Sequence, residues 1–315
     1  KKNALYYEKA IFKRGWARFK QNYYIEAVDD LVSAISYHDF SPQASLDKSE
    51  KSQFDEYYRT IGLAFAYAGG VKPLRTYIKI NPGLKFKYQI YLSVSNIYLK
   101  QERYSDAVAV LEKFIKYEKK SKNIPYASLN ILEIWRKGGF AEKLNKSTNQ
   151  FYTAYNPNSA YWKSKKTDKR NQQSIILSLK KYILKMSSHF HKAYQRNKKN
   201  ADLKNAESWY KRYLKHYQAH IRKDNINYLY AELLSTSNNS SKALKYYEKA
   251  AYDNKLILNK DAAYATIVTT NRLVRTKNTT RKRRKLYLKK HIEYCILFSQ
   301  LYPNDKRTGD IITHA

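Results

Sequence analysis

Glycine and proline are scarce in this sequence, with 8 and 6 residues among 315. A β-sandwich or β-barrel needs more turn-forming residues, so the scarcity favours long helices with short connections. The single cysteine, Cys295, excludes an intrachain disulfide and a thiolate zinc cluster, and its apolar surroundings favour a buried, inert thiol. No run of about 18 apolar residues occurs, so we expect no membrane span. These absences together predict an all-α fold.

Motifs that mark catalytic and cofactor sites are also missing. The sequence contains no P-loop, no Gly-rich dinucleotide fingerprint, no HExxH and no GxSxG. His216 and His220 are four residues apart, a spacing that can bind zinc when both lie on one helix, but we expect two solvated histidines. Asp29 and Asp30 are expected to face solvent on an amphipathic helix. We therefore expect no enzymatic activity, no cofactor and no metal.

Acidic residues are few, since 26 Asp and Glu stand against 61 Lys and Arg, and the formal net charge is +35 at pH 7. Such an excess can drive binding to nucleic acid or anionic lipid. The alternative is compositional drift towards the Lys, Asn, Ile and Tyr of AT-rich codons, which the even spread of basic residues favours. The densest cluster of basic residues has two interpretations. It is a patch that binds phosphate, lipid headgroups or an acidic partner, or it is only the basic start of a helix. Positive charge is mildly unfavourable at a helix N-terminus, which itself carries partial positive charge. This basic cluster consists of Arg281, Lys282, Arg283, Arg284 and Lys285.

The sequence does contain a recurring pattern of small and aromatic residues. It appears in RGWARFKQNYYIEAVDDLVSAI, in SNIYLKQERYSDAVAVLEKFI and in AELLSTSNNSSKALKYYEKAA. Such spacing is typical of two antiparallel helices joined by a tight turn and stacked repeatedly, with small residues where the helices approach closely. The recurring positions are Gly15, Tyr24, Ala27, Leu31 and Ala34, then Tyr98, Tyr104, Ala107, Leu111 and Phe114, then Ala231, Ala243, Tyr247 and Ala250.

About seven helical hairpins follow from this pattern. The predicted pairs are 4–21 with 24–37, 46–68 with 72–80, 84–101 with 104–118, a pair that begins near Pro125 and turns at Gly138-Gly139, 171–195 with 201–217, 221–236 with 240–252, and 258–275 with 281–301. Residues 156–170 are predicted to be a loop or a short irregular helix between hairpin blocks 1–155 and 171–315 of one solenoid. Because the sequence begins with Lys-Lys and ends on TGDIITHA, we expect a piece of a longer protein.

The recurring positions resemble the tetratricopeptide-repeat (TPR) family, whose small and aromatic residues recur over about 34 residues. The match in residues is confined to the first, third and sixth hairpins. The resemblance implies an α-solenoid that binds a protein or peptide partner in its concave groove, as a non-catalytic scaffold within a larger assembly. Stretches such as KRGWARFKQNYYIEAV and WRKGGFAEKL are similar to the large TPR proteins of the Gram-negative cell envelope. That narrower resemblance implies a bacterial periplasmic or envelope location, with the cytoplasm as the alternative.

The resemblance also implies which residues face the groove. They are Phe12, Trp16, Phe19 and Asn96, with Lys20 and Lys100 at the rim. Exposed aromatic residues there would anchor a partner; alternatively, a preceding segment of a longer chain covers them. Phe12 and Trp16 stand where chaperone-binding TPR arrays carry Lys and Asn, so we do not expect binding of a chaperone tail. The alternative function is binding of nucleic acid or another anionic surface through the basic cluster.

Overall fold

The computed structural model describes residues 2–37, 47–164, 169–220, 225–253, 256–277 and 279–313. More than two thirds of these residues are α-helical, which confirms the predicted all-α class. Within the described part, β structure is limited to a short hairpin that the sequence did not predict, β1 (Tyr252–Asp253) with β2 (Leu256–Ile257). The helices are α1 (Lys2–Lys20), α2 (Tyr24–Tyr37), α3 (Lys48–Tyr67), α4 (Val71–Ile80), α5 (Lys87–Lys100), α6 (Tyr104–Tyr117), α7 (Ile124–Lys137), α8 (Ala141–Tyr155), α9 (Ala160–Ser164), α10 (Lys169–Asn197), α11 (Asn200–His216), α12 (Ile226–Thr236), α13 (Ser240–Ala251), α14 (Lys260–Arg275), α15 (Arg281–Leu301) and α16 (Thr308–Thr313).

The chain divides into two compact units, unit 1 (Lys1–Ile176) and unit 2 (Leu177–Ala315). Unit 1 contains the hairpins α1/α2, α3/α4, α5/α6 and α7/α8, each packed against its neighbour. Unit 2 contains most of α10 with α11, and the hairpins α12/α13 and α14/α15. The segment predicted as a loop or short irregular helix contains a turn and α9. The predicted continuity of blocks 1–155 and 171–315 in one solenoid stays a prediction.

A common backbone turn ends the first helix of several hairpins. After each of α1, α3, α5, α7 and α12 comes a residue with a positive φ, and the next amide donates to the carbonyl five residues earlier. This is the Schellman arrangement, which satisfies carbonyl groups at a helix end and reverses the chain within a few residues. These positive-φ residues are Asn22, Gly69, Glu102, Gly139 and Asn238, and Gly70 after Gly69 also has a positive φ. The same tight turn therefore ends α3 and α7, whose hairpins are degenerate in the motif residues.

Small residues set the distance between paired helices, as the sequence pattern predicts. Ala27, Ala107 and Ala243 are fully buried. A Cβ atom added to Gly15 would lie 3.2 Å from the Asp30 Cβ and 3.3 Å from the Ala27 carbonyl oxygen. These positions leave room for the neighbouring backbone and for little else, which is the packing that the repeated pattern implies.

A closer contact, which the sequence pattern did not reveal, joins α3 to α5. A Cβ atom added to Gly62 would lie 2.8 Å from both the backbone carbon and the carbonyl oxygen of Ser93. Helices with larger residues at such a crossing stay farther apart. Gly62 therefore places the first helices of two successive hairpins side by side.

The expectation that Asp30 faces solvent is wrong. Its side chain is 4% exposed, and it accepts hydrogen bonds from Arg14 Nε at 3.0 Å and Arg14 Nη2 at 2.7 Å. Arg18 Nη1 lies 3.0 Å from the same carboxylate. The hydrogen bond to Asp30 raises the pKa of Arg14. Two arginines one turn apart on α1 thus make burial of this carboxylate tolerable, while Asp29 is exposed as expected.

The expected helical pair of histidines is also wrong, because α11 ends at His216 and His220 belongs to the separate 3₁₀ turn Gln218–His220. No group of three His, Cys, Asp or Glu side chains suited to a metal occurs among the described residues. Cys295 is 2% exposed and burial raises its pKa to about 11, which confirms the buried, inert thiol. None of the described helices has the length and apolar character needed to cross a bilayer.

A buried histidine gives unit 2 a predicted sensitivity to acid. His191 is 6% exposed, its Nδ1 lies 2.9 Å from the Tyr210 hydroxyl oxygen, and burial lowers its pKa. The pKa of His216 is also lowered, by burial and by Lys215. The folded state therefore binds fewer protons than the unfolded chain, whose histidines titrate near about 6.5. The stabilisation that the folded state gains from keeping these histidines neutral is fully present above about pH 6.5 and is lost as the pH falls below that value.

We expect His191→Phe to reduce the loss of unfolding free energy between about pH 7.5 and 5.5, by up to about 1.4 kcal/mol per pH unit. Urea unfolding followed by circular dichroism at several pH values measures this slope. His189→Gln, at an exposed histidine two residues away, is the matched control. If His191→Phe and the parent lose stability equally on acidification, burial of His191 does not cause the sensitivity.

Candidate functional site

A groove in unit 1 collects residues from the first helices of successive hairpins. It encloses about 760 Å³ and is bounded mainly by α3 and α5. This is the helix face on which the sequence pattern predicts a groove. The lining residues are Asp55, Tyr58 and Arg59 of α3, Tyr88, Gln89, Leu92, Ser93, Asn96, Ile97, Leu99 and Lys100 of α5, and Glu102, Tyr104 and Lys137. We call this surface the α3–α5 groove.

Two of the residues assigned to a groove from sequence line this one. Asn96 is exposed on α5, and Lys100 lies one turn further along the same helix. Within the described part of the chain, no ion pair neutralises Lys100. The spacing of four residues places both side chains on one face of α5, as the repeat pattern predicts.

Trp16 lies beside the groove. Its half-buried ring packs edge-on against Phe19, with centroids 5.6 Å apart, and the Lys20 ammonium is 5.8 Å from its centroid. The guanidinium carbon of Arg59, which lines the groove, is 6.0 Å from the same centroid. Contact with Arg59 therefore links Trp16 to the α3 edge of the groove.

Phe12 and Phe19 make contacts between the first two hairpins and are not lining residues. The Phe12 ring lies 4.6 Å from that of Tyr57. Phe19 lies 5.7 Å from Tyr24 and 5.9 Å from Tyr67. Both rings are half-buried, so packing between α1 and α3 accounts for much of their surface.

The groove has polar groups that the sequence did not single out. Gln89 Oε1 is buried and, among the described residues, has no hydrogen-bond partner. The Tyr88 hydroxyl accepts a hydrogen bond from Asn130 Nδ2 at 2.8 Å, and burial raises its pKa to about 12. Burial raises the pKa of Tyr58 further above its usual value. Both hydroxyls therefore stay protonated at neutral pH and can bind neutral polar groups.

Charges of both signs line the groove. Lys100 and Lys137 face it together with Asp55 and Glu102. Arg59 is held by Glu56 through two contacts of 2.7 Å, so part of its charge is already balanced. The lining therefore suits a ligand with mixed polar and apolar groups better than a uniform polyanion.

The basic cluster lies in unit 2, at the start of α15, as predicted. All five of its side chains are exposed, and the described residues offer them no ion pair. Thr280 caps the helix, because its side chain accepts a hydrogen bond from the Arg283 amide. The cluster is thus a solvated cationic surface on an intact helix.

Neither a protein-family model nor a curated protein matches this chain. Among solved structures, the chain is similar to one described as the complex of the TPR2AB domain of yeast Sti1 with pHSP90. The sequences are 12% identical, the alignment covers 97% of this chain and 96% of that chain, and the TM-score is 0.28.

Proposed function

We propose that this protein is a non-catalytic scaffold that binds a protein or peptide segment in the α3–α5 groove. The supporting observation is that the first helices of successive hairpins line a groove of about 760 Å³. That volume falls within the range of about 300–1,000 Å³ that ligand sites occupy. Stacked hairpins repeat the same face along the array, which suits an elongated ligand.

The side chains of the groove fit a peptide in particular. The exposed Asn96 amide can donate to and accept from a peptide bond. The half-buried Leu92 provides apolar surface beside Asn96. Trp16 would anchor the ligand at the α3 edge, since tryptophan and arginine dominate many binding sites.

We expect Trp16→Ala to weaken binding of a groove ligand by about 2 kcal/mol, or roughly 30-fold. Peptides selected from a displayed random library against the full chain are the probes, and fluorescence anisotropy measures their affinity for parent and variant. Helical content should hardly change. Tyr117→Ala, which removes a 45% exposed ring at the end of α6, is the control and should leave affinity unchanged. Equal affinity of Trp16→Ala and the parent would remove Trp16 from the site.

A place within a larger multi-protein assembly and a periplasmic or envelope location stay predictions of the sequence resemblance.

Binding of nucleic acid or an anionic surface through the basic cluster is the second candidate function, and the exposure of all five cations supports it. The mixed charges of the groove favour the protein-binding scaffold.

A further inference from the structure

The outer face of α15 in unit 2 combines cations with exposed aliphatic side chains. Leu288, Ile292 and Ile296 are 44%, 38% and 52% exposed. Residues four apart lie on one side of an α-helix, so the three form a continuous apolar stripe. Three cations share this side of the helix, namely Arg281, Lys285 and Lys289. We call these six residues the α15 face.

The adjoining side of α15 is occupied by the rest of unit 2. Cys295 and Phe298 are buried with Ile267 of α14 and Ile311 of α16. The two tyrosines of α15 point to α13, because Tyr294 donates a hydrogen bond to Glu248 at 2.7 Å and the Tyr287 hydroxyl lies 3.3 Å from that of Ser241. The α15 face is therefore a separate surface, and it carries aliphatic rather than aromatic groups.

The charge on this face is hardly compensated. Lys289 lies 3.9 Å from Glu293, and both side chains are more than half exposed, so the pair is weak. Lys290, which pairs with Glu248 at 2.7 Å, lies on the α13 side. In the described part of the chain, Arg281 and Lys285 have no ion pair.

We propose that the α15 face binds an acidic amphipathic helix of a partner protein. Aliphatic side chains spaced four apart form the ridge that packs into the groove of a second helix. Cations alongside that ridge complement Asp or Glu residues flanking the partner's apolar stripe.

Other polyanions fit the α15 face less well. A nucleic acid would contact the cations through its phosphates. Its single-stranded bases, however, stack on aromatic side chains of the protein, and this face presents none. An in-plane membrane helix needs a wide apolar face inserted among the lipids, whereas this face has one stripe with the anionic Glu293 beside it.

A displayed library of helical peptides, with leucine at heptad positions a and d and random residues elsewhere, tests the proposal against the full chain. We expect enrichment of peptides with Asp and Glu beside the leucines. Ile292→Asp should weaken their binding about tenfold or more, and so should Ile296→Asp. Ile80→Asp, at a 72% exposed isoleucine of unit 1, is the matched control and should have no effect.

Charge reversal provides the second arm. Arg281→Glu with Lys285→Glu should weaken the selected peptides, and exchange of their acidic residues for lysine should restore binding. Trp16→Ala should leave this binding unchanged, which separates the α15 face from the α3–α5 groove. Thermal unfolding of each variant confirms that α15 is still folded.

Three results would overturn the proposal. One is enrichment without acidic residues, and another is binding that Ile292→Asp leaves intact. The third uses oligothymidine or phosphatidylserine vesicles at about 0.15 M salt, where surface charges are largely screened. The proposal fails if oligothymidine or the vesicles bind while no peptide does, and if charge reversal abolishes that binding but Ile292→Asp does not. The α15 face would then be a binding site for a polyanion.

Discussion

Gly62→Leu is expected to lower the free energy of unfolding of unit 1 by about 3 kcal/mol or more. A Cβ atom at this position would lie 2.8 Å from backbone atoms of Ser93, and backbone atoms cannot move aside as a flexible side chain can. The helices α3 and α5 would have to separate, and the packing beneath the α3–α5 groove would open. Urea unfolding followed by circular dichroism measures the loss.

Two alanine substitutions calibrate this prediction. Alanine is favoured over glycine within a helix by about 1 kcal/mol, so Gly309→Ala in α16, where nothing lies within 4 Å, should be neutral or stabilising. Gly62→Ala should be destabilising despite the same intrinsic gain. If Gly62→Leu unfolds at the same urea concentration as the parent, the two helices do not approach each other as closely as the structure shows.

Ala107→Trp should destabilise the chain locally, by about 3 kcal/mol, through overpacking. Ala107 is fully buried between α5 and α6, and its carbonyl oxygen accepts a hydrogen bond from Ser95 Oγ at 2.8 Å. In stacked hairpins each repeat contacts only its neighbours, so the damage should stay close to its source. Hydrogen exchange should show lost protection in α3 to α8.

The same exchange experiment contains its own control. The amides of α14 and α15 in unit 2 should keep the protection of the parent protein. Equal loss of protection along the whole chain would mean that the protein unfolds as one cooperative body, contrary to the repeat architecture.

The sequence predicts the helices well because tight turns mark their ends. The predicted ranges 24–37 and 281–301 coincide with α2 and α15, and Gly138-Gly139 marks the turn between α7 and α8. The short elements were missed, since neither α16 nor the β1/β2 hairpin has the length over which periodicity can be recognised. The connection between the first two predicted pairs, residues 38–45, lies outside the described residues.

Side-chain contacts were harder to predict than helices. Asp30 looks like any charged residue of an amphipathic helix, and only the position of α1 shows that Arg14 and Arg18 meet it. Gly62 lies in a degenerate hairpin, so no repeat position drew attention to it. Burial of a particular residue depends on its neighbours in space, which the periodicity of one helix does not contain.

The candidate site shows the same division. The TPR resemblance named Asn96 and Lys100, and both side chains line the α3–α5 groove; their part in binding a partner stays a prediction. The resemblance could not show that Tyr57 and Tyr67 pack against Phe12 and Phe19, because those partners belong to the next hairpin. Nor could it find Tyr58 and Gln89, which line the groove between motif positions.

Photo-crosslinking tests most directly whether the α3–α5 groove binds a peptide. A photoreactive phenylalanine analogue replaces Asn96 in the groove or, as the control, Glu112, which is exposed on the second helix of the same hairpin. The probe is a peptide selected on the full chain. The proposed function predicts a crosslink at position 96, little at position 112, and competition by unlabelled peptide. Equal crosslinking at both positions, or a crosslink at position 112 alone, would contradict binding in the groove.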